Sequence, residues 1–433
     1  MALGRPGIEG ALRNFDPLQV TSQNASNAPS VQAGNPDASG LPGGRRALVV
    51  ASGAHALHDG YTDLLYILLP VWRAEFGLGF AEVGLLRALY AGAMAGFQYP
   101  AGIISERIGG RNLLCIGTAL AGLAFIVAGA SGGVVTLGIA LVLGGIGSSV
   151  QHPIASSLVA QAFEGPRSRA ALGTYNFAGD IGKMTLPAAT AGLLLLMPWR
   201  PAVVMIGFVG ILSTFAILGL LPQRPPIPKQ PKREDLRLAG NAAAGGAAPR
   251  GFWLLWSIGL IDSATRMGFL TFLPFLLAAK GAGLATVGIA LTLVFAGGAA
   301  GKLVCGFLGQ RFGVLWTVCL TEGLTAAGIL LLLVLPLEGC LASLPLIGVA
   351  LNGTSSVIYG TVPELVAPER RERAFSIFYT GTIGGGALSP VFYGLFSDAL
   401  GLNPMMMLIA GLVLATLPLA WMLNPLLRRS AAP

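Results

Sequence analysis

The chain has 433 residues, of which 54% are hydrophobic and 11% charged, and its formal net charge is +8. A mean hydropathy of +0.72, with under half of the ~25% charged residues usual in soluble domains, excludes an ordinary soluble globular protein. The positive balance does not indicate nucleic acid, because the basic residues fall in short loops between apolar runs, where membrane topology accounts for them.

Residues 1–44 are rich in Gly, Pro, Ser, Asn and Ala and carry no apolar stretch, so they read as a disordered tail and not as a signal peptide. Beyond them, apolar runs of the about 20 residues that a membrane helix needs recur along the chain. They predict twelve spans, at 47–70, 81–104, 112–131, 134–160, 169–197, 201–221, 252–278, 284–308, 314–336, 341–366, 373–399 and 403–424. Between the sixth and seventh, residues 222–251 run from Pro222-Gln223-Arg224-Pro225-Pro226 through Lys232-Arg233-Glu234-Asp235 and read as a flexible charged linker. The expected organisation is an N-terminal six-helix bundle over 45–221, a C-terminal one over 252–425, and a short tail over 426–433.

Orientation follows from the 27 Lys and Arg residues. With both termini in the cytoplasm, only Arg73, Arg200 and Lys280 fall outside and Arg87, Lys183, Arg266 and Lys302 lie within spans, which leaves 20 in cytoplasmic segments. Cys115, Cys305, Cys319 and Cys340 are scattered singly with no CxxC pair, indicating neither a disulfide framework nor a thiolate metal site. No nucleotide or cofactor motif and no nucleophile–base constellation is present, so the sequence suggests no enzyme and no cofactor.

Charge inside the spans is the informative feature. His55, His58, Asp59 and Asp63 lie in span 1, Arg87 in span 2 and His152 in span 4. Asp180 and Lys183 follow in span 5, Asp262 and Arg266 in span 7, Lys302 in span 8 and Glu322 in span 9. A central Asp, Lys or Arg costs roughly 2.5–3.5 kcal/mol on the insertion scale, so these groups require a polar interior in which they pair or meet a substrate. His55, Asp59 and Asp63 are spaced i, i+4, i+8 and share one helical face. They form a candidate proton site, unless they merely salt-bridge the bundles. Asp180 with Lys183 and Asp262 with Arg266 can each close as an intrahelical ion pair. A guanidinium such as Arg266 can also clamp a carboxylate or phosphonate bidentately. Arg87 and Lys302 could snorkel if they faced lipid.

A shift of 204 residues aligns the second half with the first: Leu69-Pro70 on Leu273-Pro274, Val83-Gly84 on Val287-Gly288, Gly102-x4-Arg107-x-Gly109 on Gly306-x4-Arg311-x-Gly313, and Tyr175 on Tyr379. Such a repeat predicts two related bundles with substrate at their interface near the midplane.

These features resemble the major facilitator superfamily of transporters over about residues 45–425. Gly102-Ile103-Ile104-Ser105-Glu106-Arg107-Ile108-Gly109-Gly110-Arg111 resembles its loop 2–3 signature, with Gly306–Gly313 as a degenerate second copy carrying Gln310 where the first has Glu106. His55-x3-Asp59, Ala74-Glu75-Phe76-Gly77-Leu78-x-Phe80 and Gly147-Ser148-Ser149-Val150-Gln151-His152-Pro153 are similar to the fosmidomycin-resistance type of efflux protein.

The resemblance implies an all-α fold of two six-helix bundles, in which spans 1, 4, 7 and 10 line a cavity and 3, 6, 9 and 12 face lipid. On that basis Glu322 belongs to a lipid-side helix, where it is expected to pair with a neighbour or to be protonated. The implied protein is a monomer in a bacterial inner membrane, working by alternating access with a small molecule and protons as its partners. The expected activity is proton-coupled export by antiport of a small anionic compound, with transport of a metal ion or metal complex by the His/Asp cluster as the alternative. The expected proton-coupling residues are Asp59, His55, Asp63 and Asp180. The expected substrate residues are Arg266, Arg87, Asp262, Lys183, His58, His152, Tyr175 and Tyr379. Gly102, Glu106, Arg107, Gly109, Arg111 and Arg311 are the expected gate.

Overall fold

The computed structural model describes residues 42–163, 166–221, 250–366 and 371–430. Nearly all of the expected tail over 1–44 and linker over 222–251 lies outside them. The described residues are helical throughout, joined by short turns. The first half comprises α1 (Pro42–Asp63), α2 (Leu65–Phe76), α3 (Phe80–Ile108), α4 (Gly110–Gly129), α5 (Val134–Ser148), a π-helical turn (Gln151–Ala155), α6 (Ser156–Ala162), α7 (Pro166–Leu196) and α8 (Trp199–Leu220). The second half comprises α9 (Arg250–Ala279), α10 (Leu284–Val334), α11 (Leu337–Leu365), α12 (Arg371–Leu400), α13 (Leu402–Leu414) and α14 (Thr416–Ser430).

By length and composition, eight helical stretches among the described residues can cross a membrane. Those that fall short have a reason in their sequence. Arg45, Arg46, the two histidines and the two aspartates dilute α1, and Asp180 and Lys183 dilute α7. Large apolar side chains such as Leu196, Val334 and Leu303 are about four-fifths exposed on the outer faces. Water would not tolerate such a surface, whereas a bilayer covers it.

The backbone repeats with the sequence. Gly77 and Gly281 both take a left-handed φ (66° and 91°), as do Gly109 and Gly313 (84° and 79°), and each pair is separated by the 204-residue shift. An L side chain is strained at such angles, so glycine lets the chain reverse at the same two places in each half. In the second half the reversal at Gly313 falls inside the 51-residue α10 and divides it into two arms. Unbroken, that helix would be on the order of 75 Å long, far beyond a ~30 Å hydrocarbon core. Pro70 and Pro274 lie inside α2 and α9 at the same shift. Upstream of Pro70, which cannot donate to the carbonyl one turn back, the first helix breaks at Leu64.

Within the first half α1 packs on α7, α4 on α8 and α3 on α5; in the second, α10 packs on α11 and α13, and α9 on α12. The halves meet along α3 with α12 and α7 with α10. The approach is very close where glycine permits it. A Cβ on Gly84 would run into the Pro390 carbonyl oxygen of the other half, and within the first half one on Gly182 would run into that of Ala56.

At the Gly77 end the halves are tied by a polar contact absent from the sequence reading. The Asp398 carboxylate of α12 accepts hydrogen bonds from the Phe80 and Ala81 amides, at 2.7 and 2.8 Å, and so caps the first turn of α3. Phe80 packs edge-on against Phe272 and Phe275 of α9, with the Arg73 guanidinium 4.2 Å above its ring. Losing a helix cap costs about 1 kcal/mol, a several-fold change in any equilibrium that breaks the contact. Asp398→Ala is therefore expected to raise opening at this end several-fold. Labelling of a cysteine placed beside Phe80 would measure it, and an unchanged rate would dismiss the latch.

Candidate functional site

All three histidines of the chain converge on one carboxylate. On α1, His55 Nε2 lies 3.4 Å and His58 Nε2 3.8 Å from Asp59 Oδ1. His152 Nε2 approaches the same oxygen at 3.9 Å from the π-helical turn. Pro153, within that turn, has no N–H to continue the α ladder, and the widened turn carries the His152 ring edge-on to both others. His55 is fixed from behind: its Nδ1 is 2.8 Å from the Tyr175 carbonyl oxygen, and its ring stacks on that of Tyr175 at 4.1 Å. His55 Nε2 and His58 Nε2 are buried without a hydrogen-bond partner. Donor atoms of His55, Asp59 and His152 lie within 4.8 Å of one another, close enough to share a metal ion.

The other oxygen of Asp59 faces a cation. Lys183 Nζ is 3.3 Å from Asp59 Oδ2 and 3.9 Å from Asp180 Oδ1. Asp180 in turn holds Lys302 Nζ at 2.6 and 2.8 Å, across the junction of α7 and α10. The intrahelical pair expected of Asp180 and Lys183 is thus the loose contact, and the tight one joins the halves. Lys302, which could have snorkelled to lipid, faces the interior instead.

This ladder forms one wall of a cavity of about 270 Å³ between the halves. Asp63, Arg87 and Arg266 also line it, giving four cations against three carboxylates. Arg87 is not a lipid-facing side chain either. It is almost wholly buried, donates to the Tyr66 hydroxyl at 3.2 Å, and leaves Nε and Nη1 without partners. Thr62, Tyr66, Asn352 and Ser355 add further polar groups to the lining; Tyr66, one turn beyond Asp63, could also have been read from the spacing.

Three expected substrate residues lie off this cavity: Tyr175, which stacks on His55 behind the wall, Tyr379 and Asp262. Tyr379 is 44% exposed and stacks on Tyr359 at 4.8 Å, so its equivalence to the buried Tyr175 under the repeat does not extend to a shared environment. Asp262 is buried behind Arg266, with 4.0 Å between Oδ2 and Nη2, and only the arginine reaches the cavity. Glu322, assigned by the resemblance to a lipid-facing helix, is 2% exposed and neighbours Asp262 in the protein interior. The expected gate residues gather at the Gly109 end, where Arg111 donates to the Leu218 carbonyl at the C-terminus of α8. Glu106, Arg107 and Arg311 are exposed there, and none forms an ion pair with a described residue.

A sequence profile of the Major Facilitator Superfamily matches residues 52–261 and again 255–432. Among curated proteins, the probable L-galactonate transporter of Escherichia coli (strain K12) is 25% identical over 81% of this chain and 82% of its own length. The probable sulfoacetate transporter SauU of Cupriavidus necator is 24% identical over 83% and 89%. The fosmidomycin resistance protein of Escherichia coli (strain K12) is 31% identical over a shorter stretch, 33% of this chain and 34% of its own. In fold, the chain is similar to a bacterial homologue of the human lysosomal transporter Spinster in its inward-facing, unoccupied conformation. The TM-score is 0.76 at 18% identity, over 90% of this chain and 99% of that one. The chain belongs to the Major Facilitator Superfamily and is a multi-pass membrane transporter of small compounds.

Proposed function

We propose that the protein is a proton-coupled secondary transporter of a small organic anion in the bacterial inner membrane. It would cross the membrane twelve times as two six-helix bundles over 45–221 and 252–425, with both termini cytoplasmic, and work as a monomer by alternating access. In that orientation the Gly77 end is external and closed, and the cavity faces the cytoplasm. The observation that carries this reading is the excess of cations over carboxylates around the cavity, with Asp59 sharing Lys183. The names of two relatives, galactonate and sulfoacetate transporters, point to the same class of solute.

The ion pairs favour one sign of coupling. An ionised Asp59 holds Lys183; a protonated Asp59 frees that ammonium for an anion. Proton and anion then bind together, which favours symport. Export by antiport, the expectation from sequence, needs binding of one to expel the other. The deciding measurement is proton movement in proteoliposomes on addition of galactonate, sulfoacetate or a phosphonate. Protons entering with the anion support the reading. Protons leaving as it enters restore antiport, and no anion-dependent flux removes proton coupling.

Metal transport is the second reading, favoured by the 4.8 Å cluster of His55, Asp59 and His152. The ammonium 3.3 Å from the same carboxylate repels a cation and weakens it. Thermal shifts with zinc or manganese larger than those with every anion would reverse the order of the two.

The gate belongs to the same proposal. Exposed Glu106 and Arg107 at the Gly109 end would pair with the other half only after that end closes. Exposed ion pairs contribute about 0.2–1 kcal/mol, so Arg107→Ala is expected to favour the inward-facing form at most fivefold. Cysteine accessibility from the cytoplasmic side reads this directly, and wild-type labelling with wild-type transport would remove the gate role.

A further inference from the structure

The second half contains a buried acid pair that the cavity chemistry leaves unused. Asp262 and Glu322 are 5% and 2% exposed and their carboxyl groups are close neighbours. Ionising two neighbouring carboxyl groups in a low-dielectric interior is strongly unfavourable, so a pair facing one cation keeps a proton. Among the described residues, the only cation within ion-pair distance of either is Arg266, 4.0 Å from Asp262. One oxygen of Glu322, Oε1, is buried with no partner, which suits a neutral carboxylic acid and would be costly for a carboxylate. The other neighbours of Glu322 are weakly polar: Thr354 of α11, within hydrogen-bond reach, and the Cys305 thiol on the first arm of α10. Along α9, α12 contributes the Ser389 hydroxyl, which donates to the Ala264 carbonyl.

We infer that Asp262 is a second proton-binding carboxylate, positioned by a permanently protonated Glu322 and switched by whether Arg266 attends to Asp262 or to the transported anion. With the cavity empty, Glu322 donates to ionised Asp262 and Arg266 balances the charge. When an anion takes the guanidinium, Asp262 loses its counter-ion and accepts a proton from the cavity. The group is electrically neutral before and after: one anion and one proton have been bound, and no bond other than O–H has formed. This rests on the anion reading above, and it adds one proton per anion to the one assigned to Asp59.

The test begins with the unmodified protein. Sulfoacetate and galactonate keep a fixed charge between about pH 6 and 8, so the slope of log Kd against pH counts the protons bound with the anion. A slope near two supports the inference. A slope of one overturns it and leaves the Asp59 reading standing, whereas a slope of zero, or no binding of either anion, overturns that reading instead. Variants then assign the roles. Asp262→Asn should bind the anion with one proton fewer. Glu322→Gln, whose amide still donates to Asp262, should keep the wild-type slope, while Glu322→Ala should not. If Glu322→Gln loses the proton that Asp262→Asn was expected to lose, Glu322 is the titrating group and the assignment fails.

Discussion

Asp59→Asn is expected to cut accumulation of the anion against its gradient sharply while sparing binding and exchange. The neutral amide imitates the protonated acid, so Lys183 stays free for substrate at every pH. Uptake driven by a pH gradient should fall to the level that the single proton on Asp262 supports, about tenfold lower for each pH unit of gradient. Counterflow of labelled anion, which needs no net proton movement, should continue. Binding should also lose part of its pH dependence, because one linked proton has been removed. His55→Gln offers a contrast. His55 approaches Asp59 at 3.4 Å and is held by the Tyr175 carbonyl, so it tunes the site without carrying the coupling. Its replacement should shift the pH midpoint and leave accumulation measurable. Wild-type accumulation by Asp59→Asn would reject the assignment and turn attention to Asp63, which lines the same cavity.

Much of this site could be read along α1 alone, since i, i+4 spacing decides which groups share a helical face, and His55 and Asp59 do meet. The apolar runs and the 204-residue repeat likewise carry into the backbone, where Gly109 and Gly313 take matching left-handed angles. Other pairings were not legible, for physical reasons. Asp180 has an i, i+3 neighbour of opposite charge, yet it spends its carboxylate on Lys302, 122 residues away, because the helix junction brings that ammonium closer. The neighbour that Glu322 was expected to have could not be named, because an assignment to lipid-side helices speaks of whole helices, and one face of such a helix is still buried against its own bundle. Asp398 sits at a helix end, where an acid is unremarkable until the partner N-terminus is known. Tyr379 shows that a repeat conserves backbone register more strictly than the surroundings of a side chain.

Replacing Lys183 with Gln is expected to produce the largest loss of anion affinity. The side chain is 30% exposed toward the cavity and bridges Asp59 and Asp180. Two consequences must be separated. Removing the ammonium leaves Asp59 buried among three imidazoles with no fixed cation, while Asp180 keeps Lys302. An orphaned buried charge destabilises by about 3–5 kcal/mol, so Lys183→Gln alone should melt earlier or express poorly. Asp59→Asn in the same molecule removes that charge, and the double variant should recover most of the thermal stability. Affinity should not recover with it, because a lost charge-assisted contact is worth about 2–4 kcal/mol, or roughly 30- to 1000-fold in Kd. Equilibrium binding and thermal unfolding on the two single variants and the double variant separate these effects. A double variant that folds and binds as tightly as the wild type would show that Lys183 only neutralises Asp59. Arg87, buried in the cavity wall with two unpartnered nitrogens, would then be the anion's principal ligand.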